Sequence, residues 1–280
     1  MPKALETLVG YVSSGTGSGT FDALSNNANQ SYVVRAYQPG TAAYLENVWG
    51  STSAASWLLS IKSPRLHDDV LGLEFAVGAY TNTGSTVIFN PQELMPGPQE
   101  QMLYSTDTLS VTAAATTATN KFLGVFNVRY EDLGGVSARL YDWQTIKPLI
   151  KNFVGFEVTP VASGTVGLFG AGVALNSQST RWKANTDYAF LGYSTSIPVS
   201  AIVINGVDVG NLYVGGPGLP NTADTGMFFV DQSVKTGFPH IPVINSLNVG
   251  GTFCYIADVT ASTAPLVVLH FAELTNRIGS

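Results

Sequence analysis

Short apolar runs separated by Gly, Pro, Asn and Ser make up the pattern of hydrophobic and polar positions along this chain. The runs are rich in Val, Ile, Tyr, Phe and Thr, which favour β-strands, and the residues between them favour turns. Strands are predicted at 31–37, 56–62, 71–80, 85–90 and 108–114 in the first half, and at 187–193, 200–206, 226–234, 252–259 and 265–274 in the second. The pattern therefore predicts an all-β fold.

One hairpin and one short helix can be placed among these strands. The stretch "NGVDVGN" at 205–211 contains an Asn-Gly pair, which is a strong hairpin signal. The stretch "SARLYDWQTIKPLIKNF" at 137–153 has one apolar face, formed by residues that recur every three positions: Leu140, Trp143, Ile146 and Leu149. Because Pro148 limits or kinks a helix, this segment is predicted to be a short helical linker midway along the chain.

Three segments of the first half resemble three segments of the second half, in the same order. The matches are "LVGY" (8–11) with "FVGF" (153–156), "SYVVRAY" (31–37) with "DYAFLGY" (187–193), and "FNVRYEDL" (126–133) with "VVLHFAEL" (267–274). The offset between matched segments rises and then falls along the chain, as loop insertions in duplicated domains would cause. The chain is therefore predicted to contain two repeats, at about 8–133 and 153–274.

The third match also agrees with strand geometry. Successive side chains of a strand point to opposite faces, so alternate residues share a face. Three apolar pairs are predicted to occupy equivalent places in two cores: Phe126 with Val267, Val128 with Leu269, and Tyr130 with Phe271. Arg129 falls over His270 on the other face of the strand.

Each repeat has about 120 residues and room for seven or eight strands, which fits a sandwich or jelly roll better than a propeller blade or a solenoid coil. The predicted architecture is all-β, with two tandem jelly-roll β-sandwiches joined by a short helical linker. The predicted boundaries are 1–135 for the N-terminal jelly roll, 136–152 for the linker and 153–280 for the C-terminal jelly roll.

Charged residues make up only 11% of the chain, whereas globular domains carry about 25%. A free monomer with so few charged residues would have too few solvated groups to cover its surface. We therefore expect much of the exterior to be buried against other subunits. The net charge is −6 and Lys and Arg form no cluster, which disfavours direct binding of nucleic acid. Cys254 is the only cysteine, which excludes an intrachain disulfide, and no signal peptide or membrane span is predicted.

Two jelly rolls in one chain, each closing on a long apolar strand ("KFLGVFNVRYEDL" at 121–133 and "PLVVLHFAEL" at 265–274), resemble the double jelly-roll major capsid proteins of tailless icosahedral viruses and phages. The resemblance is one of architecture and covers nearly the whole chain. It implies a structural virion protein, assembled in the host cytoplasm, that forms a homotrimer whose jelly rolls make a pseudo-hexameric capsomer. The implied partners are other copies of the chain, other virion proteins and, in shells that contain one, an internal membrane. No cofactor is expected.

The most polar cluster is "RLHDDVLGLE" at 65–74. Its oxygen and imidazole groups are of the kind that bind a divalent metal, and the candidate ligands are His67, Asp68, Asp69 and Glu74. A polar turn before the strand at 71–80 explains the same residues and is favoured, so no metal site is predicted.

The chain is not expected to be an enzyme, because no catalytic constellation is present. Serines lack the G-x-S-x-G elbow, so His240 is interpreted as a loop residue and His270 as a strand residue at a wall or an interface. Glu131 and Asp132 are adjacent on one strand and point to opposite faces, so they cannot act as the carboxylate pair of a glycosidase. With Glu273, they are interpreted as strand ends that face water or a neighbour.

Two alternative functions follow from the same fold. A two-domain β-sandwich could be a carbohydrate-binding or adhesin-like module whose aromatic platform draws on four residues: Trp49, Trp57, Trp143 and Trp182. Aromatic residues in β proteins are more often part of the core, however. A hydrolase built on jelly rolls would use Glu131 or Glu273, and it ranks last.

Overall fold

The computed structural model describes residues 4–12, 16, 21–23, 25–26, 32–52, 57–63, 73–79, 88–89, 101–115, 122–132, 139–161, 169–177, 181–196, 199–215, 226–258 and 266–278. Over these residues the chain is mostly β-sheet, and nearly all of its strand pairings are antiparallel. The predicted all-β class is therefore confirmed. No helix in the described part of the chain has the length and apolar character that crossing a membrane requires.

Among the described residues, the first half contains ten strands: β1 (Ala4–Val12), β2 (Phe21–Ala23), β3 (Ser25–Asn26), β4 (Ala43–Thr52), β5 (Trp57–Lys62), β6 (Leu73–Ala79), β7 (Ile88–Phe89), β8 (Gln101–Leu103), β9 (Ser110–Ala115) and β10 (Phe122–Tyr130). One row runs β3-β1-β10-β4, and β7 and β8 also pair with β4. A second row runs β2-β9-β5-β6. A short parallel pairing of β6 with β4, at Ser51 and Thr52, joins the two rows.

In the second half, the structure describes nine strands: β11 (Leu140–Tyr141), β12 (Ile150–Val158), β13 (Val173–Ala174), β14 (Asp187–Thr195), β15 (Val199–Gly206), β16 (Gly210–Gly215), β17 (Ile241–Asn245), β18 (Phe253–Asp258) and β19 (Val267–Leu274). They make two sheets, in the orders β11-β17-β14-β19-β12 and β13-β18-β15-β16. The predicted hairpin at 205–211 is confirmed, because β15 and β16 pair as far as Gly206 and Gly210.

The two halves pair their strands in the same order. Counted along the chain from β12, the strands of the second half pair first-eighth-third-sixth in one sheet and second-seventh-fourth-fifth in the other. The first half follows the same order when the two-residue strands β3 and β7 are set aside. In both halves the long last strand therefore lies between the first and the third, as β10 lies between β1 and β4 and β19 between β12 and β14.

Each half contains its own hydrophobic cluster. Buried apolar residues between Leu8 and Tyr130 form one cluster, and those between Ile146 and Leu274 form the other. The residues predicted to face the cores do so with at most 1% exposure: Phe126, Val128 and Tyr130 on β10, and Val267, Leu269 and Phe271 on β19. The predicted core-facing positions of these six residues are confirmed, since the same alternation buries one face of both strands.

Aromatic rings fill the centre of the second cluster. Phe156 on β12 stacks on Trp182 with ring centroids 3.8 Å apart, and Phe271 meets the edges of both rings at 5.5 and 5.4 Å. Tyr188 packs edge-on against Trp182 at 4.8 Å. Edge-to-face and stacked pairs of this kind add to the stabilisation from apolar burial, so Trp182 acts as a lid on this core.

The helical linker is shorter than the 137–153 pattern predicts. Helix α1 (Trp143–Ile146) is one turn long, and a 3-10 turn (Lys147–Leu149) follows it directly before β12. The side chain of Asp142 caps α1 by accepting a hydrogen bond from the Thr145 N–H at 2.8 Å. Pro148 lies in the 3-10 turn, where its missing N–H has no helical partner to lose.

The predicted strand at 226–234 is wrong, because most of this segment belongs to helix α2 (Phe228–Thr236). Phe228, Phe229 and Val230 are buried whereas Asp231 and Val234 are exposed, a helical rather than an alternating pattern. Gly237 ends the helix in the left-handed conformation at φ +71°. The apolar run was mistaken for a strand because its short length fits both structures.

Two of the three sequence matches between the halves are also wrong in detail. Segment 31–37 forms only an isolated bridge between Val33 and Thr108, so the pairing partner equivalent to β14 is β4. In the first match, Leu8 is 2% exposed but Phe153 is 66% exposed, so the two residues lie on opposite faces of their strands. Similar residues matched out of register because β-strands are built from a small set of favoured residue types.

Candidate functional site

An open groove of about 370 Å³ runs along the outer face of β12, β19 and β14, opposite the aromatic core. The residues at the start of α2 form one of its walls. Strand pairing places Gly155 and Gly192 on either side of His270, so neither of these two paired residues has a side chain beside the imidazole. A Cβ on Gly155 would lie 3.1 Å from a methyl group of Val268, which indicates how close the floor of the groove is packed.

The groove is apolar except at His270. Leu191 lies buried at its floor, and Phe153 and Met227 present exposed apolar surface at its rim. The imidazole Nε2 of His270 lies 3.1 Å from the Oγ of Ser194, within hydrogen-bond distance. Burial lowers the pKa of His270, because the charged form loses hydration in this setting. The neutral imidazole and the apolar rim suit an apolar partner surface.

The same outer face in the first half is covered. Arg129 occupies the outer side of β10, and its guanidinium lies 4.7 Å from the centroid of the Tyr44 ring and 3.9 Å from that of Phe238. Phe238 belongs to the second half and directly follows the end of α2. Arg129 is only 3% exposed, although it lies on the face away from its own core. Cation–π contacts with two rings stabilise the charge in this buried position.

A buried ion pair fastens the start of the linker to the end of the chain. The Asp187 carboxylate accepts hydrogen bonds from Nη1 and Nη2 of Arg139 at 3.2 and 2.6 Å, from the Ile278 N–H at 2.9 Å and from Nδ2 of Asn245 at 2.6 Å. Burial by itself raises the pKa of Asp187, but these hydrogen bonds and the Arg139 charge outweigh it and lower the pKa. Every lone pair of this carboxylate accepts a hydrogen bond from within the fold, so its role is structural.

Asp208 extends this network at the turn between β15 and β16. Its carboxylate accepts hydrogen bonds from the Asn245 N–H and from Nδ2 of Asn248, both at 2.9 Å. The Arg139 N–H donates to the Asp208 carbonyl at 2.9 Å. Sequence reasoning missed this network. The only signal for it was the occurrence of single acidic residues within long uncharged stretches.

The interpretation of Glu273 as a solvated strand end is wrong. Its side chain is buried, and its oxygens accept hydrogen bonds from Nζ of Lys183 at 2.6 and 2.7 Å. These hydrogen bonds lower the pKa of Glu273, with a smaller contribution from Lys151. Lys183, from the segment before β14, neutralises the carboxylate, which explains how a charged residue continues the buried face of β19.

Glu131 also acts within the fold. It accepts a hydrogen bond from the Ala42 N–H at 3.0 Å, while its own N–H donates to the Ala42 carbonyl at 2.9 Å. This pair closes the end of the β10–β4 ladder. Both glutamates considered for a hydrolase therefore form hydrogen bonds within the fold at the ends of their strands.

The remaining candidates divide between described and undescribed residues. His67, Asp68 and Asp69 lie outside the described residues, and Glu74 is exposed on β6. No group of three His, Cys, Asp or Glu side chains that could hold a metal ion occurs among the residues that the structure describes. His240 precedes β17 outside any helix or strand, as predicted, but it is buried.

The described tryptophans do not form an open platform. Trp182 is stacked on Phe156, and Trp143 packs partly buried against the second core. The side chains of Trp49 and Trp57 lie outside what the structure describes. Ser194 and His270 resemble the first two members of a hydrolase triad, yet no described carboxylate hydrogen-bonds the other nitrogen of His270. Among the residues that the structure describes, the groove therefore supplies an apolar surface without the orienting carboxylate of a triad.

The chain matches no protein-family model, and it matches no curated protein sequence. Its function has to be inferred from the strand order, the two outer strand faces and the buried polar network.

Proposed function

We propose that this protein is the major capsid subunit of an icosahedral virus, with two jelly-roll domains in each chain and three chains in each capsomer. The observation that carries the proposal is the shared strand order of the halves, first-eighth-third-sixth and second-seventh-fourth-fifth. Two four-stranded sheets in this order describe a jelly roll, a fold that viral shells use repeatedly. A fold by itself does not specify a function, so two further observations are needed.

The first supporting observation is the low charge. Only 11% of the residues are charged, and apolar residues make up 45%. Soluble monomers normally cover their surfaces with more charge. A subunit that is surrounded by neighbours in a shell has less need of it.

The second supporting observation is that the acidic side chains of the described polar clusters are already bonded to other groups within the fold. Asp187, Asp208 and Glu273 are each paired with basic or amide groups from other segments of the chain. These pairs join segments of the second half that are far apart in the chain and leave the paired groups no part in binding a ligand. The carbohydrate-binding alternative has no comparable support among the described tryptophans.

The experiment is to purify the protein and measure its mass in solution by light scattering and native mass spectrometry across a concentration series. We expect a species of three chains, and pseudo-hexagonal particles in negative-stain electron micrographs. A monomer that persists at the highest concentration would overturn the proposal. Binding of the same sample to a glycan array would instead point to the carbohydrate-binding module.

The partners and location of the protein belong to the same proposal. Other virion proteins, and an internal membrane in shells that have one, would contact the assembled capsomer. The protein would be found in the virion after assembly in the host cytoplasm. Purified virus particles whose shell does not contain this chain would contradict both statements.

A further inference from the structure

We infer that the groove beside His270 is the seat of a second copy of this chain, which docks there through the β6 side of its first half. The inference rests on the proposed function, because it assigns the contact by which the subunits would associate. It concerns one particular surface, however, and can fail while the subunit still assembles in another way.

The starting point is a contact inside one chain. The outer face of β10 carries Arg129, and the second half covers it with the ring of Phe238. Alongside this contact, strand β1 of the first half lies next to β16 of the second half. In the shared strand order, β16 is the fifth strand of its half and β1 is the first. The fifth-strand side of one half therefore packs on the first-strand side of the other.

In the part of the chain that the structure describes, the second half presents the equivalent face without an equivalent cover. His270 occupies the outer side of β19, the strand that corresponds to β10, and it is only partly buried. Phe153, on the outer side of the edge strand β12, is 66% exposed. In the described part of the chain, β12 is the last strand of its sheet. An exposed aromatic residue beside an apolar groove on an edge strand is the kind of surface that proteins bury in an interface.

Repeating the internal contact between chains identifies the occupant. The fifth strand of the first half is β6, so the β6 side of another copy should pack on β12 and the groove. This contact joins different surfaces of the two copies, and such heterologous contacts close into rings when the rotation permits. In the ring, first and second halves alternate, and every outer face receives the cover that Arg129 already has within one chain.

The first test compares two charge substitutions on exposed apolar residues. Phe153→Glu places a charge at the rim of the groove, whereas Leu247→Glu places one at a residue of the same exposure, 67%, on the 3-10 turn after β17. We expect Phe153→Glu to raise the dissociation constant of the assembly at least about tenfold, as for an interface hot spot, and Leu247→Glu to leave it unchanged. Circular dichroism should show both variants folded.

The second test maps the contact directly. Cys254 is buried, so cysteines introduced at the surface can be modified selectively. The double variant Phe153→Cys with Glu74→Cys should be joined between chains by a short bis-maleimide linker. The control Val207→Cys with Glu74→Cys, which uses an exposed residue of the β15–β16 turn, should not.

The outcomes separate the inference from the proposed function. Assembly that is weakened by Phe153→Glu alone, with cross-links at 153 and 74, supports both. Normal assembly of Phe153→Glu, or cross-links only in the control pair, overturns the inference and leaves the capsid proposal intact. A wild-type protein that stays monomeric overturns both.

Discussion

Replacing Asp187 by asparagine should destabilise the second half of the protein by about 3 kcal/mol. The Asp187 side chain has no solvent exposure, and its two oxygens accept four hydrogen bonds from three segments of the chain. Asparagine keeps the shape but replaces one acceptor with an NH₂ group. That group would face donors, and the guanidinium of Arg139 would keep only the more distant Asp208 carboxylate, at 3.8 Å, as a counter-charge.

The magnitude follows from the exposure of the two partners. Removing one member of a fully buried ion pair costs about 3–5 kcal/mol, because the other charge is left without compensation. The side chain of Arg139 is 21% exposed, so water can recover part of its solvation. We therefore expect a value at the lower end of that range, and an additional Arg139→Met substitution should cost less than it does alone.

The measurement is chemical denaturation at a fixed protein concentration, since assembly would otherwise change the apparent stability. Glu157→Gln provides the matched control, because it removes one acidic charge from an exposed position on β12 of the same sheet. The control should change the free energy of unfolding by no more than about 0.5 kcal/mol. If Asp187→Asn were equally mild, the network would not hold the fold together as described.

Acid should weaken the same contact. The pKa of Asp187 is lower in the folded protein than the value of about 3.9 expected for the unfolded chain. Its contribution is therefore complete above about pH 4 and is lost as the pH falls through the folded-state pKa. The wild-type protein should lose more stability than Asp187→Asn between about pH 4 and pH 2. Parallel acid titrations of the two proteins would contradict this reasoning.

Three further changes test other contacts. Tyr130→Phe should cost about 1–2 kcal/mol in a denaturant titration, because the Tyr130 hydroxyl donates to the Glu6 carboxylate at 2.8 Å within the first half. Cys254 should resist a thiol reagent until the protein unfolds, since burial raises the pKa of its thiol. Lys183→Met should cost about 1–3 kcal/mol because it leaves the buried Glu273 carboxylate without its nearest counter-charge, and Glu273→Gln should cost less because water can solvate the half-exposed Lys183.

Each of these has a contradicting result. Unchanged stability of Tyr130→Phe would mean that water replaces the hydroxyl at no cost. Rapid labelling of Cys254 in the native protein would mean that the second core opens readily. A larger effect for Glu273→Gln than for Lys183→Met would reverse the expected order, in which a buried charge left without its partner costs more than an exposed one.

The local pattern was sufficient for most of the strands. Alternating apolar residues identified β5, β6, β14, β15, β18 and β19 to within a few residues, and an Asn-Gly pair identified the hairpin. The pattern failed at 226–234, where Phe228 and Phe229 suit either a strand or a helix. It failed again at 31–37, which found only one bridging partner.

The sequence by itself determined the all-β class, the alternation that buries one face of β10 and β19, and the low content of charged residues. Only the tertiary structure decided which strands pair, how Asp187 and Glu273 are neutralised, and why Arg129 is covered while Phe153 is open. The physical reason is the distance along the chain over which each feature is set. The alternation of buried and exposed residues repeats every two positions, so each strand's own sequence shows it. Ion pairs and covered faces instead join residues that are far apart in the chain.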